Sequence, residues 1–139
     1  MKKLFTLIAL TAAACVDGHG SNEQGIESLY GTWAVVGNSV APSNVQAYTE
    51  NDPRLVGARL NISDSRAVWS GRDSFTEWPC EVSEISYYPP RQFDIICNEG
   101  YGLAPKTSVP SMHIDSSGVL RINWYDGANL KLENVARAQ

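Results

Sequence analysis

The chain has little of what most enzymes and membrane-spanning proteins rely on. It contains two histidines and three cysteines in 139 residues. A metal site needs several convergent ligands, and a nucleophile–base pair needs a base close to a Ser or Cys. His19 stands among Gly, Ser and Asn residues and is left to solvent; His113 stands alone in a strand-like stretch (SMHID), which gives it a structural or surface role. The strongly apolar stretch 4–10 (LFTLIAL) is only seven residues long, against roughly 20 for a membrane-crossing helix. Basic charge is also scarce, with 11 Lys and Arg against 15 Asp and Glu. Without a basic run, the chain is not expected to bind nucleic acid or to dock on anionic lipid head groups. No calcium-loop spacing occurs, and Gly100-Tyr101-Gly102 is too sparse for a phosphate loop. Acids such as Glu81 with Glu84 and Asp94 with Glu99 read as solvated surface. No catalytic residue, metal or cofactor is expected, and the protein is not expected to be an enzyme.

What is present begins with an export signal. Lys2 and Lys3 precede the apolar stretch, and Thr11-Ala12-Ala13-Ala14 is a run of small residues, the layout of a secretory signal. Small residues at Ala12 and Ala14 suit ordinary signal cleavage. A cysteine directly after the small run, Cys15, instead resembles the bacterial lipoprotein box. That resemblance implies removal of residues 1–14 and acylation of Cys15. It also implies residence in the bacterial cell envelope; with no Asp directly after Cys15, the outer membrane facing the periplasm is favoured. The N-terminal lipid is then the only membrane contact. Loss of Lys2 and Lys3 leaves nine basic residues against 15 acidic ones, a balance of −6. Residues 15–26 (CVDGHGSNEQGI) hold almost nothing to bury and read as a flexible tether with a reach of roughly 20 Å. The folded domain is expected over 27–139.

From Tyr30 onward the pattern is that of strands. Residues 30–36, 58–62, 66–69, 81–88, 92–97, 112–115, 119–124 and 129–135 are β-rich or alternate apolar with polar. Turn residues separate several of them, among them Ser63-Asp64-Ser65, Pro89-Pro90, Ser116-Ser117-Gly118 and Asp126-Gly127. About eight short strands of this kind predict an all-β fold, a small antiparallel up-and-down barrel. If the chain reverses between Tyr88 and Pro89, Cys80 faces Cys97, Val82 faces Ile95 and Glu84 faces Phe93, with an apolar face turned inward. A Cys80–Cys97 disulfide follows, worth on the order of 3 kcal/mol. It leaves Cys15 without a partner, as acylation requires, since an exported chain seldom keeps a free thiol. Two segments, 37–57 and 98–111, are too long for simple turns and are candidate binding loops.

Gly31-Thr32-Trp33, at the start of the first strand and after a stretch that suits one helical turn, resembles the Gly-x-Trp opening of lipocalin-type barrels. In that family the tryptophan closes one barrel end beneath an arginine from a late strand, a role that falls here to Arg121 or Arg137. The closing stretch 122–133 (INWYDGANLKLE) is similar to the last hairpin of small bacterial lipocalin-like proteins. The format is also similar to that of lipid-anchored, disulfide-bearing envelope barrels that inhibit lysozyme, without their Ser-Gly-x-x-Tyr pattern.

The lipocalin resemblance implies a small apolar ligand held in the barrel, which requires a hollow interior. The acidic balance and the stapled hairpin support a different class of function: an interaction module, an inhibitor or immunity factor directed at an exported enzyme or toxin. Trp33 and Trp124 read as core, whereas Trp69, Trp78 and Tyr101 lie near turns or loops and are the expected contacts for ligand or partner.

Overall fold

The computed structural model describes residues 25–42, 47–71, 79–105 and 108–135. The expected signal segment, Cys15, His19, Trp78 and Arg137 lie outside the described residues. The described chain forms β1 (Gly31–Val40), β2 (Arg59–Ile62), β3 (Arg66–Ser70), β4 (Pro79–Tyr88), β5 (Gln92–Cys97), β6 (Met112–Ile114), β7 (Leu120–Asn123) and β8 (Ala128–Asn134). Each strand pairs antiparallel with the next and β8 returns to β1, so the sheet closes into an up-and-down barrel. The fold is all-β apart from short helical turns, as expected, and is compatible with a lipocalin-like architecture.

Alternation sorts the two faces. Leu120 and Ile122 of β7 turn inward while Arg121 and Asn123 turn outward; Leu130 and Leu132 of β8 turn inward while Lys131 and Glu133 turn outward. A charged exterior around an apolar interior is the reverse of a lipid-facing barrel. The turns follow local chemistry. Asp126 and Gly127 adopt φ of 55° and 73°, the left-handed pair that a tight hairpin requires and that glycine accepts without strain. Asp115 Oδ1 accepts from the Ser117 and Val119 amides at 2.9 and 3.1 Å, closing the β6–β7 turn.

The disulfide joins Cys80 to Cys97 with Cα atoms 5.3 Å apart and both residues buried. The register around it differs from the expected one. Tyr88 faces Gln92, Tyr87 faces Phe93 and Ile85 faces Ile95; then a bulge at Ser83 brings Val82, not Cys80, opposite Cys97. The reversal takes three residues, Pro89, Pro90 and Arg91, which shifts every pair. The bulge has a packing reason. Strict alternation from Cys80 would turn Glu84 and Ser86 into the core, whereas the extra residue turns Ile85 and Tyr87 inward instead. A second bulge in β1, at Val36, lets that strand run on to Val40, beyond its expected end.

Candidate functional site

The barrel interior is filled by side chains. Leu60, Phe93, Met112, Leu120 and Leu132, from five different strands, have 0% exposure. A void wide enough for water would leave its lining accessible, and these residues show none. Eight strands enclose a space that side chains can fill, and these five side chains pack it without leaving any of their own surface accessible.

One barrel end is closed around Trp33. Its indole Nε1 donates to the Leu29 carbonyl at 2.8 Å, and Leu29, at the end of a helical turn over 25–29, is itself wholly buried. Gly31 has φ of 129°, and an added Cβ would stand 3.3 Å from the Asn134 amide. Arg121 does not cover this tryptophan. It sits at an outward position of β7, half exposed, with Nε 3.2 Å from Asp115 Oδ2; alternation along a strand whose Leu120 and Ile122 fill the core allows nothing else. The Ser117 hydroxyl first and the Val119 amide next, then the Ser117 amide and Arg121, hold the Asp115 carboxyl well below the usual carboxylate range, and together they outweigh the opposing effect of burial.

The opposite end carries the two long segments. The first folds back on β1 and is latched there. Asn38 donates from Nδ2 to the Thr49 carbonyl at 2.9 Å and accepts at Oδ1 from the Asp52 amide at 2.7 Å. Asp52, 2% exposed, accepts from the Thr49 amide and from the Arg54 amide, Nε and Nη2 within 3.0 Å. Tyr48 and Leu55 of this segment are buried in the core. The second segment returns along β5 through a Leu103 amide bond to the Ile95 carbonyl at 3.0 Å and buries Leu103 and Ala104.

Between these segments lies an aromatic cluster. Trp69 and Trp124 stack with centroids 4.8 Å apart, Tyr125 meets Trp124 edge-on at 5.4 Å, and the Tyr125 hydroxyl donates to the Gly102 carbonyl at 3.2 Å. Burial, and to a lesser degree Tyr101, push the Tyr125 phenol up. Tyr101 is partly buried against the core. Trp69, expected as a contact residue, is 3% exposed; its place facing Leu60 on β2 makes it a core residue. The indole N–H groups of Trp69 and Trp124 are both buried and have no hydrogen-bond partner among the described residues. Such a group ordinarily costs about 1–3 kcal/mol.

A second feature lies on the outer surface. His113 of β6 faces Arg121 of β7, Arg121 faces Lys131 of β8, and Lys131 faces Gly37 of β1. The next row along the strands is Asn123, Asn129 and Ser39. Together with Glu50 and Asn51 these residues line a groove of about 280 Å³. The basic row is absent from the linear sequence because its members are eight and ten residues apart; the register assembles it. Outward parity of each residue in its strand is the signal that could have revealed it. Among the described residues no group of three or more His, Cys, Asp or Glu side chains converges as a metal site would require.

No family model matches this chain, and no curated protein or solved structure matches it either.

Proposed function

We propose that the protein is a non-enzymatic binding protein of the bacterial envelope. An acylated Cys15 tethers it to the outer membrane, and it acts as an interaction module toward an exported enzyme or toxin. The observation that carries this reading is the filled interior. An interior packed with side chains has no room for a carried ligand, but it makes a rigid platform for loops. The disulfide beside the loop-bearing end and the latched 47–58 segment add to that rigidity, and rigid surfaces lose little entropy on binding.

The acidic balance suits a basic partner. Mixing the protein with a panel of basic exported hydrolases, lysozyme included, is expected to give a stoichiometric complex with one of them and loss of its activity. Absence of any complex across the panel, with saturable binding of lipids, would reverse the reading. The anchor has its own test: a fatty-acid analogue should label the wild-type chain and not Cys15→Ser.

The two orphaned indole donors favour one alternative, a small apolar ligand with an acceptor oxygen that enters beneath the loops at Trp69 and Trp124. The lipocalin-like Gly-x-Trp opening supports it. A fluorescent fatty-acid panel that quenches these tryptophans, and loses affinity in Trp69→Phe, would establish that reading.

A further inference from the structure

We propose that the outer-face groove across β6, β7, β8 and β1 binds an acidic saccharide, a short sugar chain carrying carboxylate or phosphate groups. This goes beyond the interaction reading, because it concerns a different surface and a different class of ligand.

The first ground is a local rule that the sheet breaks. Like charges directly opposite each other on neighbouring strands are destabilising. Yet Arg121 faces Lys131 directly across the β7–β8 pair, in a chain where acids outnumber bases by 15 to 11; the His113 imidazole flanks Arg121 on its other side. An acidic residue at either position of that pair would remove the repulsion. Asp115 offsets part of it through Arg121 Nε. The His113 and Lys131 side chains have no hydrogen-bond or ion-pair partner among the described residues. Positions that keep an unfavourable arrangement without a packing gain are where function is to be sought.

The second ground is shape and chemistry. The surface here is concave, about 280 Å³, just below the usual range for drug-sized ligands and so suited to a small one, and unlike the broad surface a protein partner needs. Arg121 and Lys131 offer charge-assisted bonds to an acid group, and the His113 imidazole adds a further donor or acceptor. The row beside them, about 7 Å further along the strands, is Asn123, Asn129 and Ser39, whose side chains make no internal hydrogen bonds among the described residues. Amides and a hydroxyl both donate and accept, as sugar hydroxyls do. Glu50, also in the lining, accepts only, which suits a sugar hydroxyl and not a bare anion. Four strands span about 14 Å from His113 to Gly37, room for more than a lone ion.

The acid sugar can be free or part of a lipid head group, and the test separates the two. Trigalacturonate is titrated into the intact exported chain and followed by amide chemical shifts. A neutral trisaccharide, maltotriose, runs in parallel, and a third arm uses zwitterionic vesicles doped with a glucuronosyl lipid. The expected result is shifts confined to His113, Arg121, Asn123, Asn129 and Lys131, with maltotriose at least about tenfold weaker. The double substitution of His113 and Lys131 by Gln, at two exposed positions, should weaken the acid ligand about tenfold, equal to about 1.4 kcal/mol, and added salt should weaken it further. Binding in the vesicle arm alone assigns the site to a lipid head group; binding of trigalacturonate assigns it to free saccharide. Equal binding of acidic and neutral sugars, an unchanged double variant, shifts outside the groove, or no binding in any arm would each overturn the proposal. None of these outcomes depends on whether a protein partner is found.

Discussion

Asp52→Ala should lower the free energy of unfolding by about 3 kcal/mol, read as a fall in urea midpoint at unchanged slope. The carboxylate serves the Thr49 amide, the Arg54 amide and the Arg54 guanidinium, all within 3.0 Å and nearly out of solvent. Removing it leaves several of these donors short of an acceptor at once, and charge-assisted bonds are the stronger kind. The loss should be local. The segment that buries Tyr48 and Leu55 should exchange its amide protons faster, while β5 to β7 stay protected. A loss below about 1 kcal/mol would mean that water replaces the carboxylate and that the latch is Asn38 alone. The pH dependence has a definite sign. Arg54 first, then the Thr49 amide, hold this carboxyl well below the usual carboxylate range. A depressed folded-state value means the stabilisation is complete above the unfolded value near 3.8 and is lost as pH falls below it. The latch is therefore fully engaged at neutral pH, and only strong acid weakens it in the wild-type chain. The alanine variant should lose that acid sensitivity.

The barrel was legible because each of its parts carries a local signature. Hairpin turns such as Asp126-Gly127 announce themselves through residues that tolerate positive φ. Strands such as 92–97 (QFDIIC) and 119–124 (VLRINW) have an alternation that admits one burial pattern. An up-and-down order needs nothing more, since every strand pairs with its neighbours in sequence. The Cys80–Cys97 pairing was legible for the same reason, as two cysteines at the far ends of one hairpin meet under several registers.

Registers themselves were not legible. A bulge is decided by which of two phases buries more apolar surface, and at Ser83 that balance rests on Ile85 and Tyr87 against Glu84 and Ser86. A direct reversal between Tyr88 and Pro89 is the simplest reading of this hairpin, and it contains neither the three-residue turn nor the bulge. The same limit hid the outer groove. A search for basic runs finds none, because His113, Arg121 and Lys131 become neighbours only when three strands are laid side by side. The burial of Trp69 was not legible for a related reason. Proximity to the end of a strand suggests exposure, yet the aromatic pair with Trp124 closes the end of the barrel and takes both rings inside.

Trp33→Ala should cost about 4 kcal/mol, the range for deleting a large buried aromatic. The ring is 1% exposed and fills the closed end under Leu29. Because that cost mixes packing with hydrogen bonding, Phe substitutions at two tryptophans separate them. Trp33→Phe keeps much of the apolar ring but leaves the Leu29 carbonyl without its 2.8 Å donor, so about 2 kcal/mol should be lost. Trp124→Phe removes a buried N–H that has no partner among the described residues, and the relief should offset much of the lost ring area, giving a change within about 1 kcal/mol. Chemical denaturation of the three variants reads all of this directly. Equal losses for the two Phe variants would mean that the Trp124 N–H is satisfied in solution. The donor would then have a bound acceptor at the loop end, which is the arrangement the small-ligand reading requires and the filled scaffold does not.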